Sequence, residues 1–196
     1  TWETIDSGIY EQGYAVNAAE GRIELQSPTV IQNLKTKGED IFGNETITTT
    51  VNNHIFVNGK VFIEKSTATT TGTDIFGTAT TAVTITTTEY GIRGDLNGRY
   101  GPIKITVTTN VKGTDIFGGS WETTQDGSYN QLYKVVSYIE NGETKYRLEL
   151  QAPSNIIKLV TYGTDIFGNK TTTETENKYI LFHGKVLVTS SIATTT

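Results

Sequence analysis

The chain has 196 residues, of which 35% are apolar, and its 16 basic and 21 acidic side chains give a net charge of −5. This balance argues against a nucleic-acid partner or an anionic membrane surface, and the lack of a run of about 18 apolar residues argues against membrane insertion. The sequence contains no Cys, which excludes disulfides and thiol chemistry. It also contains no Met, which favours a processed chain or an excised fragment.

Short runs of alternating β-branched and aromatic residues, interrupted by Gly, Asn or Asp, predict strands along the whole chain and almost no helix. Residues 8–16 and 21–27 are expected to pair. A strand over residues 29–37 is expected to follow. Further strands are expected over residues 78–88 and 103–110, on either side of a loop rich in Gly and Asn.

The dipeptide Asn58-Gly59 lies between the runs HIFV and KVFI and predicts a two-residue hairpin. The expected register pairs Val57 with Lys60, Phe56 with Val61, and Ile55 with Phe62. Because both faces of this hairpin carry apolar side chains, we expect it to be covered on both sides.

Four copies of one short motif separate the strand-like stretches, as GEDIFG at 38–43 and GTDIFG at 72–77, 113–118 and 163–168. Glycine permits positive φ or close backbone approach, and Asp can close a turn onto its own backbone. The Ile-Phe pair is expected to plug a core beneath the turn. The positions expected to form these structural corner motifs are Gly38, Asp40, Phe42, Gly43, Gly72, Asp74, Phe76, Gly77, Gly113, Asp115, Phe117, Gly118, Gly163, Asp165, Phe167 and Gly168.

Internal similarity divides the chain into three units. TWET at residue 1 resembles SWET at 120, RIELQSP at 22 resembles RLELQAP at 147, and STATTT at 66 resembles SIATTT at 191. The expected organisation is a β repeat A over 1–71, an intervening β unit B over 72–119 and a β repeat A′ over 120–196, packed as one or two domains. Both chain ends fall at the same phase of the repeat, which fits either a window from a longer array or a subunit whose ends meet other copies.

Few residues in the sequence are candidates for chemistry. Asp95 and Asn97, in GDLNG, are weak candidate metal ligands, and an ordinary Asn/Gly turn is the favoured alternative. Asn44 and Asn169 each begin an N-x-Thr sequon and are candidate glycosylation sites. Trp2 and Trp121 are candidate sugar-stacking platforms, with a core or interface role as the alternative.

These patterns predict an all-β protein, with antiparallel sheets of sandwich or jelly-roll type built from an internal duplication. No catalytic motif is present, so we expect a non-enzyme without an obligatory cofactor, with calcium as the one candidate ion. The expected function is a structural subunit or repeat segment of an extracellular filament, pilus-like appendage, surface layer or adhesin. Its partners would be other copies of the chain, joined head to tail through strand edges. The alternative is a carbohydrate-binding, lectin-like β module at the cell surface, with glycans as ligands and calcium as a candidate ion.

Overall fold

The computed structural model describes residues 1–26, 30–31, 33–57, 60–93, 99–182 and 185–196. None of these residues is helical, and every strand pair among them is antiparallel. The all-β, antiparallel fold class expected from the sequence is therefore confirmed.

The strands vary from two to sixteen residues in length, and the long ones lie in the centre of the chain. In chain order they are β1 (Trp2–Ser7), β2 (Tyr10–Glu11), β3 (Tyr14–Asn17), β4 (Arg22–Leu25), β5 (Val30–Ile31), β6 (Leu34–Glu39), β7 (Glu45–Val57), β8 (Lys60–Thr73), β9 (Ala79–Arg93), β10 (Arg99–Thr114), β11 (Ser120–Gln125), β12 (Gly127–Glu140), β13 (Glu143–Leu150), β14 (Ser154–Ile157), β15 (Leu159–Thr164), β16 (Lys170–Phe182) and β17 (Lys185–Thr195).

One large sheet contains most of these strands. Its main path is β1-β6-β7-β8-β9-β10-β11-β15-β16-β17, which is ten strands of alternating direction. Strand β12 continues the line of β11 and pairs with β10, β13 and β14. Two small ribbons, β2–β5 and β3–β4, complete the described strands. The chain thus runs up and down through the sheet, with neighbours in space largely following neighbours in sequence.

Two hairpins show how turn chemistry sets this path. The β7–β8 register pairs Val57 with Lys60, Phe56 with Val61 and Ile55 with Phe62, as the sequence predicted. Residues 58 and 59 themselves lie outside the described residues. The longer β12–β13 hairpin turns at Asn141 and Gly142, which have φ of 54° and 80°. Two successive positive φ angles are typical of the type I′ turn that Asn-Gly favours.

The described residues contain no buried hydrophobic side chain. The accessible surface is 12823 Å², whereas a compact monomer of 21.5 kDa exposes roughly 9,000 Å². The expected packing of two sheets into a sandwich is therefore not found in the described part of the chain, which forms one extended layer. The expectation that the β7–β8 hairpin is covered on both faces is also wrong, because Phe56 and Ile63 are exposed.

Residues that pair with one another on successive strands form a row across the sheet, near the end where the corner motifs lie. Several of these residues are glycines. We call this row the glycine row. In strand order it contains Trp2, Gly38, Thr46, Gly72, Thr80, Gly113, Trp121, Gly163 and Thr171. The opening glycine of every corner motif belongs to this row. A Cβ on Gly38 would come within 2.9 Å of the Trp2 ring, and a Cβ on Gly113 would overlap the Trp121 ring. The opening glycine therefore makes room for a side chain on the neighbouring strand.

Two residues further along each strand, a second row crosses the same face. We call it the threonine row. It contains Thr4, Thr36, Thr48, Thr70, Ala82, Val111, Thr123, Thr161, Thr173 and Thr195. The hydroxyls of Thr48 and Thr70 lie 2.9 Å apart, as do those of Thr173 and Thr195. Such cross-strand pairs between β-branched residues stabilise a sheet that has no buried core.

Gly113→Ala is expected to destabilise the fold by about 1–3 kcal/mol, because the new methyl group forces the Trp121 ring away from the backbone. Chemical unfolding followed by tryptophan fluorescence measures this cost. In a Trp121→Ala background the same substitution is expected to be nearly neutral, since the obstructing ring is gone. An equal cost in both backgrounds would show that the ring does not occupy the space above Gly113.

Candidate functional site: the corners and the free edges of the sheet

Each corner motif forms a tight turn between two neighbouring strands. In the first, the Asp40 N–H donates to the Asn44 carbonyl (3.1 Å) and the Gly43 N–H donates to the Asp40 carbonyl (3.3 Å). The corners at Asp74, Asp115 and Asp165 make the same two bonds. Their closing glycines have φ of 82–97°, close to the 85° of Gly43. This is the three-residue hairpin loop in which a type I turn precedes a residue of positive φ, hence the glycine.

The aspartate side chain of each corner folds back into its own turn. Asp40 Oδ1 accepts the backbone N–H groups of Phe42 (2.8 Å) and Asn44 (3.0 Å). The other three corners repeat these bonds at 2.8–2.9 Å.

These bonds act on the charge of the aspartate. The Asn44 amide, which donates to Asp40 Oδ2 at 2.7 Å, together with the backbone donors, lowers the pKa of Asp40 below its ordinary value. Asn169 does the same for the pKa of Asp165, and the backbone N–H of Thr78 is the main cause of the lowered pKa of Asp74. Hydrogen bonding therefore stabilises the charged form of these carboxylates at the turn.

The Ile-Phe pairs lie on the outside of the turns. All eight side chains are exposed, from 52% at Ile166 to 92% at Ile41. The expectation that they plug a core beneath each corner is therefore wrong. The type I turn places both residues at the tip of the loop, where no other layer of the described chain covers them.

The four corners lie along one end of the sheet. They join β6 to β7, β8 to β9, β10 to β11 and β15 to β16, which are successive pairs on the main path. Because strand direction alternates, every second turn falls at the same end. We call the eight exposed side chains the corner row: Ile41, Phe42, Ile75, Phe76, Ile116, Phe117, Ile166 and Phe167.

The main path ends in two strands that have a ladder on one side only. Within the described residues, β1 pairs only with β6, and β17 only with β16. Strand β11, which shares the WET sequence of β1, is paired on both sides, with β10 and β15. Strand β8, which shares the ATT sequence of β17, is also paired on both sides, with β7 and β9. The two outer edges therefore resemble edges that are paired elsewhere in the sheet.

A shallow groove of about 430 Å³ crosses the sheet near its corner end. Its lining includes Lys112, Glu122 and Tyr162, whose side chains share one face of the sheet, and Tyr162 is exposed. Trp121 belongs to the adjacent row and turns its ring to the opposite face, over Gly113. An exposed aromatic ring beside charged and hydroxyl groups is the composition of a polar-ligand site. Trp2 lies far from these residues in strand order and is exposed, over Gly38.

The remaining candidates are placed as follows. The sequon residues Asn44 and Asn169 use their amides to bond Asp40 and Asp165, each at 2.7 Å, so both stay candidate glycosylation sites engaged in a turn. The candidate metal ligands at positions 95 and 97 lie outside the described residues. In the described ranges there is no group of three or more His, Asp or Glu positioned to hold a metal ion. No helix in that part of the chain is long and apolar enough to cross a membrane.

Sequence reasoning missed two parts of this site. The edge strand β1 covers Trp2–Ser7, before the first stretch expected to be a strand, and its content of Trp, Thr and Ile was the available signal. The alignment of the four corners depends on strand order, and its trace in the sequence was the pair of strands expected between one motif and the next.

No protein-family model, curated protein or solved structure matches the chain. The corner row, the two free edges and the groove are the features of the chain itself that bear on its function.

The corner aspartates predict a specific loss of stability in acid. Because the folded pKa values of Asp40, Asp74 and Asp165 are below the ordinary 3.8, their contribution is fully present above that pH and is lost as pH falls through the lowered values. The triple Asp→Asn variant keeps the oxygen acceptors without the charge, so its thermal midpoint should decline less over the same acid range. Parallel acid declines of the two proteins, followed by circular dichroism, would contradict this role.

Proposed function

We propose that the chain is a structural subunit, or repeat segment, of an extracellular filament, pilus-like appendage, surface layer or adhesin. In this proposal copies join head to tail by pairing the free edge of β17 with the free edge of β1. The observation that carries it is an extended sheet with two free edges and no buried hydrophobic side chain among its described residues. Natural proteins rarely leave a long edge uncovered.

The number of strands supports head-to-tail joining. Ten strands of alternating direction make the first and last run oppositely. A second copy placed alongside by translation would therefore set its β1 antiparallel to β17 of the first. An odd number of strands would have set them parallel. The alternating pattern of the sheet thus continues across the joint without a reversal.

The outward backbone groups of both edges can be assigned from the hydrogen bonds on the inner side. Thr1 and Glu39 exchange two backbone bonds (2.7 and 3.0 Å), so the N–H groups of Trp2 and Thr4 face away from β6. Thr196 and Thr172 likewise exchange two bonds (2.9 and 2.8 Å). The alternation then directs the N–H of Ala193 away from β16.

Thr4→Pro and Ala193→Pro are expected to block assembly, because each removes one outward N–H without breaking a ladder bond to the inner neighbour. Negative-stain electron microscopy of the purified chain should show elongated assemblies for the wild type and discrete particles for either variant. Thr4→Val and Ala193→Val, which keep the N–H, are the matched controls and should assemble as the wild type does. Discrete particles of the wild type at every concentration, or unchanged assemblies of the proline variants, would contradict edge joining.

The groove at Tyr162 favours a second candidate function. A carbohydrate-binding module places sugar rings on aromatic side chains and satisfies their hydroxyls with neighbouring polar groups. Lys112 and Glu122, which face each other across β10 and β11, supply such groups beside Tyr162. This observation supports glycan binding independently of assembly.

Tyr162→Ala is expected to abolish retention of the chain on a neutral polysaccharide matrix, measured by affinity electrophoresis, because the stacking surface is lost. Tyr146→Ala removes a similarly exposed tyrosine outside the groove and is the matched control. If the two variants are retained equally, or the wild type is not retained on any matrix, the groove does not bind glycans.

A further inference from the structure

The corner row forms an apolar strip along one end of the sheet. A Cβ on Gly43 would lie 3.6 Å from Ile75 Cγ2, and a Cβ on Gly77 would lie 2.6 Å from Ile116 Cγ2, so the first corner contacts the second and the second contacts the third. The Ile75 N–H also donates to Asn44 Oδ1 at 3.0 Å, which links the first two corners directly. Two strand widths separate successive corners, which is about 9–10 Å. The eight side chains are thus arranged at regular intervals.

The area of the strip is that of an interface. An exposed Phe presents roughly 150 Å², so four Phe and four Ile side chains together present on the order of 1,000 Å² of apolar surface. Soluble monomers rarely expose patches of more than a few hundred Å², and a stable interface buries about 800 Å² on each partner. The corner row alone is therefore large enough to hold a partner.

The backbone of the strip is also ordered without a partner. Each corner is closed by two backbone bonds and two bonds to its aspartate. The carboxylate that each corner carries is directed into these bonds and not towards the tip. A partner would therefore meet apolar side chains whose backbone is already ordered, which lowers the entropic cost of binding.

The charges that flank the strip favour a second copy of this chain as the partner. Glu39 and Glu45 flank the first corner, where Glu45 pairs with Lys37 at 2.7 Å, and Lys170 flanks the fourth, while the second and third corners have only Thr, Ala, Gly and Ser beside them. Glu39 therefore leaves an excess of negative charge at the first end of the strip, and Lys170 adds a positive charge at the fourth. A second copy rotated by a two-fold axis would place its fourth corner opposite the first corner of this chain, so that opposite charges meet at both ends.

We propose that the corner row is a docking surface for the corner row of a second copy of this chain, with the two rows antiparallel about a two-fold axis between the second and third corners. This contact lies at the ends of the strands, whereas the edge joining proposed above lies along their sides. The two contacts are independent, and together they would make a sheet of double width.

The test uses the edge-blocked variant Thr4→Pro/Ala193→Pro, so that any remaining association belongs to the corner row. Analytical ultracentrifugation should show a dimer. Adding Phe76→Ser and Phe117→Ser, the two central phenylalanines, should reduce it to a monomer, a twofold loss of mass. The matched control is Ile92→Ser/Ile139→Ser, which removes two side chains of similar exposure (75% and 78%, against 71% and 74%) outside the row. This control should remain a dimer.

The charges test the antiparallel arrangement separately. Lys170→Glu in the edge-blocked chain should weaken the dimer at low salt, and adding Glu39→Lys should restore it, because the two residues then exchange signs across the interface.

A dimer that survives the serine substitutions, or an edge-blocked chain that is monomeric, would overturn the proposal. So would binding of that monomer to vesicles of neutral phosphatidylcholine through the same phenylalanines, which would assign the row to a lipid surface. In the wild type, whose edges are not blocked, the width and the length of the assemblies are measured separately. The width reports on docking of the corner rows, and the length reports on edge joining, so failure of one contact can be told from failure of the other.

Discussion

The constraint on which the structure depends is that its sheet is a single layer. A chain of this length would ordinarily bury apolar side chains between two layers, but the described residues form one layer with apolar groups left exposed on it. Its order comes from the backbone ladders, from cross-strand pairs such as Thr48 with Thr70, and from the closed turns. Such a layer leaves its edges and corners exposed, and the proposed contacts between copies are made there.

The two glycines of the corner motif do different physical work. The opening glycine lies within a strand, and because it has no side chain it leaves space for Trp2, Thr46, Trp121 or Thr171 on the neighbouring strand. The closing glycine has positive φ and completes the turn. Between them, the aspartate fixes the loop through its own backbone bonds. The motif thus determines strand register and the direction of the Ile-Phe pair at the same time.

Local chemistry could be predicted from the sequence, whereas burial could not. Alternation identified strands, and Asn58-Gly59 predicted the pairing of Phe56 with Val61 because a two-residue turn leaves no freedom of register. The direction of Ile41 and Phe42 was predicted wrongly, since an apolar pair in a turn is equally consistent with a core or with a partner. The groove at Tyr162 depends on strands that are distant in the chain, so no spacing in the sequence revealed it.

The meandering order of the strands also affects how the chain can fold and grow. Because nearly every strand pairs with one that is close in sequence, loop closure is inexpensive in entropy and folding can begin at any hairpin and spread to its neighbours. Stability then approximates a sum over adjacent strands, as in repeat proteins that behave as one-dimensional arrays. In such an array a hairpin can be gained or lost over evolutionary time while the remaining contacts stay as they were. The β12–β13 hairpin has eight residue pairs and the β3–β4 hairpin has four, so hairpins of different length are present in the same chain.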